Sequence, residues 1–433
     1  MWQNFCVLTL TALTVASATR SGMGIEDEAG VSRGIELMGI VEIAGSMKDK
    51  SGLDEVFSVE RKSDSTQDDH DGLPPFSNDM LGGFSALAYT GSNQTYYALS
   101  DRGPLDGAVD WNCRIHKIRI PIGEDTNQSL QVELLETVLL TDEEGIPFTG
   151  MASACPSTRM SNVATGSLFS TPASRLDPEG IRISKNGNIF ISDEYGPRVI
   201  EFSPAGKMIH ELKVPQRYKG DDPSSTTVDR NSNQRSGRST NRGMEGLAIS
   251  LDDATLFGLM QSPLLQDCQW VQQAKYPTGL NCRLWASPIR GEGSKELLYH
   301  LDDSANGLNE ILAVTDDDFL VIERDGEAGE SARFKRIFLI STERASDISG
   351  IDRLPPMKLP DRVQPVSKTL LIDLLHPQWN LAGKTMPEKI EGLAFGPDLI
   401  DGRRTLLVTS DNDFEPSAAS FIYVFAIPRT TLE

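Results

Sequence analysis

Apolar positions along this chain come in short runs and rarely at helical spacing. The runs "YYALS", "IFISD", "TLFGLM", "DFLVIE" and "TLLVTS" are rich in Val, Ile, Leu, Phe and Tyr, and Gly, Pro, Asn and Asp bound them. That pattern predicts an all-β protein of many short strands. The runs also come in pairs. "GGFSALAYTGSNQTYYALSDRG" begins at Gly82, "DPEGIRISKNGNIFISDEYG" at Asp177 and "GMEGLAISLDDATLFGLMQS" at Gly243. "GLNEILAVTDDDFLVIERDG" follows from Gly307 and "KIEGLAFGPDLIDGRRTLLVTSDND" from Lys389. Each unit has a polar or acidic anchor, a strand, a turn, a second strand and a polar end. The anchors Ser85, Glu179, Glu245, Glu310 and Glu391 recur about every 65 to 95 residues, which suits a four-stranded propeller blade with decorated loops. We expect one β-propeller domain over residues 34–430. Its ring closes where the N-terminal "IELMGIVEIAG" and the C-terminal "SFIYVFAIP" share a blade, and six blades are expected. Segments 46–79 and 215–242 read as long polar loops, as does 142–176.

Composition narrows the function. The chain has 433 residues and a formal net charge of −21. A nucleic-acid binder normally shows a basic face, so no nucleic-acid partner is expected. Residues 1–18 hold an apolar run ending in Ala16-Ser17-Ala18 and read as a signal peptide, although no Lys or Arg precedes the run. With no other long apolar run, we expect an exported monomer, secreted or periplasmic, without stable membrane insertion. Loss of the leader leaves Cys113, Cys155, Cys268 and Cys282. An even number in an exported protein predicts two disulfides, Cys268–Cys282 and Cys113–Cys155, with four buried thiols as the alternative.

The chemistry lies at the ends of the paired strands. A hairpin folds its outer ends together, so Asp177 and Glu179 should meet Asp193 and Glu194. Repeated around a propeller, the anchors form a ring at one mouth of the channel, with Asp411 beside it. Hard divalent cations want many oxygens, so Asp177, Glu179, Asp193, Glu245, Glu310, Glu391 and Asp411 are the expected metal ligands. Calcium is the expected ion, with magnesium or manganese as alternatives. Glu179, Asp193, Glu194 and Glu245 are the candidate catalytic acids and bases. Arg102, Arg242 and Arg324 fall next to motif positions and are the candidate substrate-binding groups, since an Arg fork matches phosphate oxygens. Ordinary acid–base turns and Arg–carboxylate pairs are the competing structural reading. The chain has no G-x-S-x-G, GxGxxG or P-loop. Its five His residues lie outside the repeats, and His116 in "CRIHKIRIP" reads as a surface position.

At "GGFSALAY…YYALSDRG", "DPEGIRIS…IFISDEYGPRVIEFSPAGK", "NRGMEGLAIS" and "EGLAF…LLVTSDND" the chain resembles the phytase-like domain family, also called esterase-like activity of phytase. The resemblance covers about Gly82 to Pro428. It implies an exported propeller that hydrolyses phosphoesters or carboxylic esters, with a small-molecule ester as substrate. Ser85 departs from the family's pattern, in which the other anchors are acids. Two other functions fit the residues: a non-catalytic propeller that binds a ligand or partner at its mouth, and a calcium-dependent lactonase or arylesterase.

Overall fold

The paired runs fold as hairpins, and the hairpins extend into five four-stranded antiparallel sheets in the computed structural model, which describes residues 34–57, 76–123, 130–151, 175–219, 234–270 and 277–433. Blade 1 is β4 (Phe84–Tyr89), β5 (Thr95–Ser100), β6 (Arg114–Arg119) and β7 (Glu133–Leu139). Blade 2 is β8 (Pro178–Ile183), β9 (Ile189–Asp193), β10 (Arg198–Phe202) and β11 (Met208–Leu212). Blade 3 is β12 (Met244–Ile249), β13 (Thr255–Met260), β14 (Asn281–Pro288) and β15 (Lys295–His300). Blade 4 is β16 (Gly307–Ala313), β17 (Asp318–Arg324), β18 (Lys335–Ser341) and β19 (Ser367–Asp373). Blade 5 is β20 (Ile390–Phe395), β21 (Arg404–Ser410), β22 (Ala419–Ile427) and, from the other end of the chain, β1 (Glu36–Ala44). The innermost strands contact one another in a closed cycle, β4–β8–β12–β16–β20–β4.

The ring therefore has five blades, not six. The two terminal segments do share a blade, with β1 paired to β22 from Glu36 opposite Ala426 to Ala44 opposite Ala419. They complete the fifth unit instead of adding another. The long spacing between anchors reflects loop insertions. Apolar side chains fill each junction between blades; Leu320, Ile322, Leu393, Leu406, Val408 and Phe425 do so between blades 4 and 5. Within 46–79, Val56–Phe57 (β2) pairs with Phe76–Ser77 (β3). Buried Arg114 bonds Asp49 and the Asn78 carbonyl, both at 2.6 Å, and lies over Trp111.

Cys113, Cys268 and Cys282 are buried free thiols, so the expected Cys268–Cys282 bridge is not formed. Cys155 and the leader lie outside the described residues. His116 is buried rather than exposed, between Ser100 Oγ at 3.2 Å and Thr137 Oγ1 at 3.0 Å.

One buried ion pair crosses the centre. Arg182 of blade 2 donates to the carbonyls of Ile181 and Ile311 at 2.6 Å and of Leu87 at 3.2 Å, and lies 3.0 Å from Glu310 of blade 4. Blades 2 and 4 are not neighbours, so the side chain reaches across the axis between them. Breaking a buried pair leaves one charge uncompensated and costs about 3–5 kcal/mol, whereas replacing both partners with apolar groups is often neutral. Arg182→Met should therefore lower the unfolding free energy measured in urea by that amount, seen as a lower midpoint, and Arg182→Met with Glu310→Met should regain most of it. Equal midpoints for the single variant and the parent protein would show that the pair does not hold the channel together.

Candidate active site

Five equivalent bulges build the mouth. Each innermost strand loses register with its neighbour at one point: between Phe84 and Ala86, Pro178 and Ile181, Met244 and Gly246, Leu308 and Glu310, and Ile390 and Gly392. A bulge re-aims one side chain. The re-aimed residues are Ser85, Glu179, Glu245, Asn309 and Glu391. A small residue follows in four of the five, because the next blade is close: a Cβ on Gly246 would meet Ile311 N at 2.8 Å, and one on Gly392 would meet Ala86 Cα at 2.9 Å.

Glu310 is thus one position off the ring. It stands where the other strands carry Ala or Gly, and accepts bonds from Ile311 N at 2.9 Å and Leu247 N at 3.2 Å besides its pairing with Arg182. Asn309 takes the ring position. The sequence carries a signal for this: an apolar residue precedes every ring residue, as in Phe84-Ser85, Met244-Glu245, Leu308-Asn309 and Ile390-Glu391. Arg182 also had a signal, as the one charged residue at a position where the other units have Ala or Leu.

Around the ring stands an outer tier. Its strand-start residues are Gly83, Asp177, Gly243, Gly307 and Lys389, and their partners are Asp101, Glu194, Gln261, Arg324 and Asp411. Asp177, Glu179 and Glu194 converge, all buried, with one oxygen of each within 4.8 Å of the others. Arg102 neutralises two of them: its Nη1 lies 2.5 Å from Asp177 and 3.2 Å from Glu194, and its Nη2 bonds Asp106 at 2.7 Å. Glu194 also accepts from Gly243 N at 2.9 Å. Asp101, Asp411 and Asp413 form a second triad, already holding the Lys389 ammonium, which is 2.9 Å from Asp411 and also bonds Asp413. Glu391 is paired with Arg324 at 2.8 Å. Glu179 and Glu245 have neither an ion pair nor a side-chain hydrogen bond among the described residues.

Asp193 faces away from this group. Its oxygens accept from Asp177 N at 2.9 Å, Tyr195 N at 3.1 Å and Arg198 Nε at 2.7 Å, so it ties the hairpin ends together. Arg242 is half-buried just before β12. The other described arginines of its loop go elsewhere: Arg217 reaches the Ile351 and Ser349 carbonyls, Arg235 stacks on Trp270, and Arg238 bonds the Tyr195 carbonyl.

The fold and mouth define a class: a five-bladed propeller with buried carboxylates gathered at one mouth, the cup of the ring. The family described as "Phytase-like: Esterase-like activity of phytase" matches residues 79–414, and the chain belongs to it. An "Uncharacterized secreted protein" of Arthroderma benhamiae is 29% identical over 320 residues, covering 59% of this chain and 61% of that relative. The chain thus spans about three-fifths of its length. Among solved structures, a periplasmic gluconolactonase of Pseudomonas aeruginosa matches at TM-score 0.34 and 11% identity, covering 81% of this chain and 90% of that one. A gluconolactonase of Xanthomonas campestris matches at TM-score 0.34 and 10% identity, covering 80% and 87%. These likenesses are too distant to carry chemistry. No helix among the described residues is long and apolar enough to cross a membrane.

Burial pushes Glu179 and Glu245 well above the usual carboxylate range, and neighbouring acids add to it, Glu245 for the first and Glu194 for the second. Burial also pushes Asp177 up to about 6 and Glu310 up to about 7, against the pull of Arg102 and Arg182. Such groups hold protons more tightly folded than unfolded. Their contribution to stability is full at low pH and is lost as pH rises through the folded values. Buried His116, held down to about 3, works the other way below pH 6.5. In chelator, the acids' contribution should decline from pH 4.5 to pH 7, and Glu245→Gln should flatten the decline in urea midpoint while leaving the His116 contribution unchanged. Identical pH profiles for the two proteins would remove Glu245 from the account.

Proposed function

We propose that the cup is the active site of an exported hydrolase of ester bonds, acting as a monomer on small anionic phosphoesters with calcium as its cation. The observation that supports this most is the convergence of Asp177, Glu179 and Glu194, all buried, beside Arg102. Membership of the phytase-like family points the same way, and the apolar leader pattern and the secreted relative favour export.

The donor set fits a hard cation. It is entirely oxygen, and Glu179 lacks a cationic partner. Asp177, Glu179 and Glu194 would hold the ion, with Glu245 and Glu391 behind them. When bound, it acidifies a coordinated water and offsets developing negative charge. The remaining work falls to the chain. Glu245, with its raised proton affinity, takes the proton of the attacking water. Arg324 and Arg242 hold the anionic group.

The test is a screen of the purified protein against phytate, nucleotides, p-nitrophenyl esters and lactones, in calcium and in chelator. Phosphoester turnover that needs calcium is expected. Glu179→Gln should keep the fold and lose about 10²-fold or more in turnover, as removal of a metal-holding or proton-accepting group does. Arg242→Ala should weaken phosphoester turnover and spare neutral esters. Turnover of lactones alone would favour a lactonase. Both variants matching the parent protein on every substrate would leave a binding module.

A further inference from the structure

A pocket of about 330 Å³ lies between blades 2 and 3, at the end of the strands away from the mouth. Ser184 and Asn186 of the β8–β9 turn line it, with Asp253 and Ala254 of the β12–β13 turn. Ile289 and Arg290, just after β14, form one side. Phe190 of β9 and Glu201 of β10, opposite each other in the sheet, form the wall on blade 2. Glu179 and Ser184 are five residues apart, roughly 16 Å of extended chain, so the pocket shares no residue with the carboxylates of the mouth.

Glu201 is 1% exposed and takes both of its donors on one oxygen. Arg290 Nη2 at 2.8 Å and Asn188 Nδ2 at 2.7 Å bond Oε1, and Oε2 has no hydrogen-bond partner. Burial works against ionisation, yet these bonds hold the carboxyl below the usual carboxylate range, so the group is charged at neutral pH. A charged oxygen buried without a donor is costly, and a donor brought by a ligand would relieve that cost. Arg290 reaches the carboxyl from the surface with a side chain 61% exposed. Such a side chain shifts at little cost, which gives a guest access to Oε2.

We infer that this pocket binds one ring of a neutral, hydroxyl-rich molecule, a monosaccharide, with a ligand hydroxyl donating to Glu201 Oε2. The charge of Glu201 is already matched by Arg290, so an ammonium at Oε2 would meet a guanidinium, whereas a hydroxyl donates without a charge to repel. An anion would meet Glu201 and Asp253. The walls are mixed: Phe190, Ala254 and Ile289 are apolar, while Ser184 and Asn186 offer a hydroxyl and an amide. A sugar ring, with carbon faces and hydroxyl edges, matches such a lining. The volume is at the small end of the roughly 300–1,000 Å³ of ligand pockets and suits one ring, not an extended chain.

The experiment titrates the full chain with glucose, galactose and N-acetylglucosamine, and with butylamine and inorganic phosphate as charged probes, by saturation-transfer NMR and calorimetry. Saturable binding of at least one sugar is expected, with a Kd of about 1 mM or tighter. Glu201→Gln puts an amide where the charged acceptor stood and should weaken binding at least about tenfold, as loss of a hydrogen bond to a charged group does. Ala254→Trp changes an exposed residue at the pocket's edge. It should fill the pocket and abolish binding with the melting curve unchanged, so it decides the matter even if Glu201→Gln does not fold. Glu179→Gln, at the mouth, should change binding by less than about threefold, as distant sites act independently. No sugar binding to the parent protein, binding kept in Ala254→Trp, or binding lost in Glu179→Gln would overturn the site. Binding of butylamine or phosphate in preference to every sugar would overturn it too. The site does not depend on the hydrolase reading: a chain that binds a sugar here and hydrolyses nothing keeps the site and loses only the activity.

Discussion

The Arg182–Glu310 pair across the channel is the constraint on which the rest depends. Propeller blades pack mainly on their neighbours, and here one guanidinium also ties blade 2 to the backbones of blades 1 and 4. It crosses the axis between them. The carboxylates of the mouth are buried, and their charge becomes a problem the structure must solve locally. Arg102, Arg324 and Lys389 each solve part of it, on the outer tier and at Glu391.

How much of this was legible follows from what each feature depends on. The hairpins were legible because period, turn residues and acid ends are local. The shared terminal blade was legible because both terminal segments read as strands. The blade count was not, because it depends on whether "IELMGIVEIAG" fills an existing sheet or begins another, and the pairing of β1 with β22 decides that across nearly the whole chain. Glu179, Glu245 and Glu391 lie at the bulges where the anchors were expected. Glu310 was misplaced by one residue because the acid was aligned, where the apolar residue before the bulge fixes the register. Asp193 looked like its neighbour Glu194, yet its oxygens are taken up by two backbone amides and Arg198. The Arg-rich loop looked like one phosphate site, and the fold sends its described members to several places.

The scaffold is close to five-fold symmetric, whereas its decoration is not. Three of the five strand-start positions are glycine, and the two side chains present are an acid and a base, Asp177 and Lys389. The partner tier has acids on blades 1, 2 and 5, then Gln261 and Arg324 on blades 3 and 4. Negative charge is therefore concentrated over one part of the mouth. An anionic substrate would be repelled there and received on the side of Arg324, next to the unpaired carboxylates and not on top of them. Under the hydrolase proposed above, such asymmetry would put the activated water at one side and the anionic group at the other.

The bulges set how far this can be pushed. Each sends a ring side chain toward the axis, while the small residue after it lets the next blade approach within van der Waals contact. Five blades give a narrower axis than six would, so the ring groups are crowded by construction. Crowded, buried carboxylates have two ways to exist: hold protons or share a cation. Their raised proton affinities describe the first state. An apolar ring would have packed this axis more simply, so the acids cost stability here that the fold alone does not require.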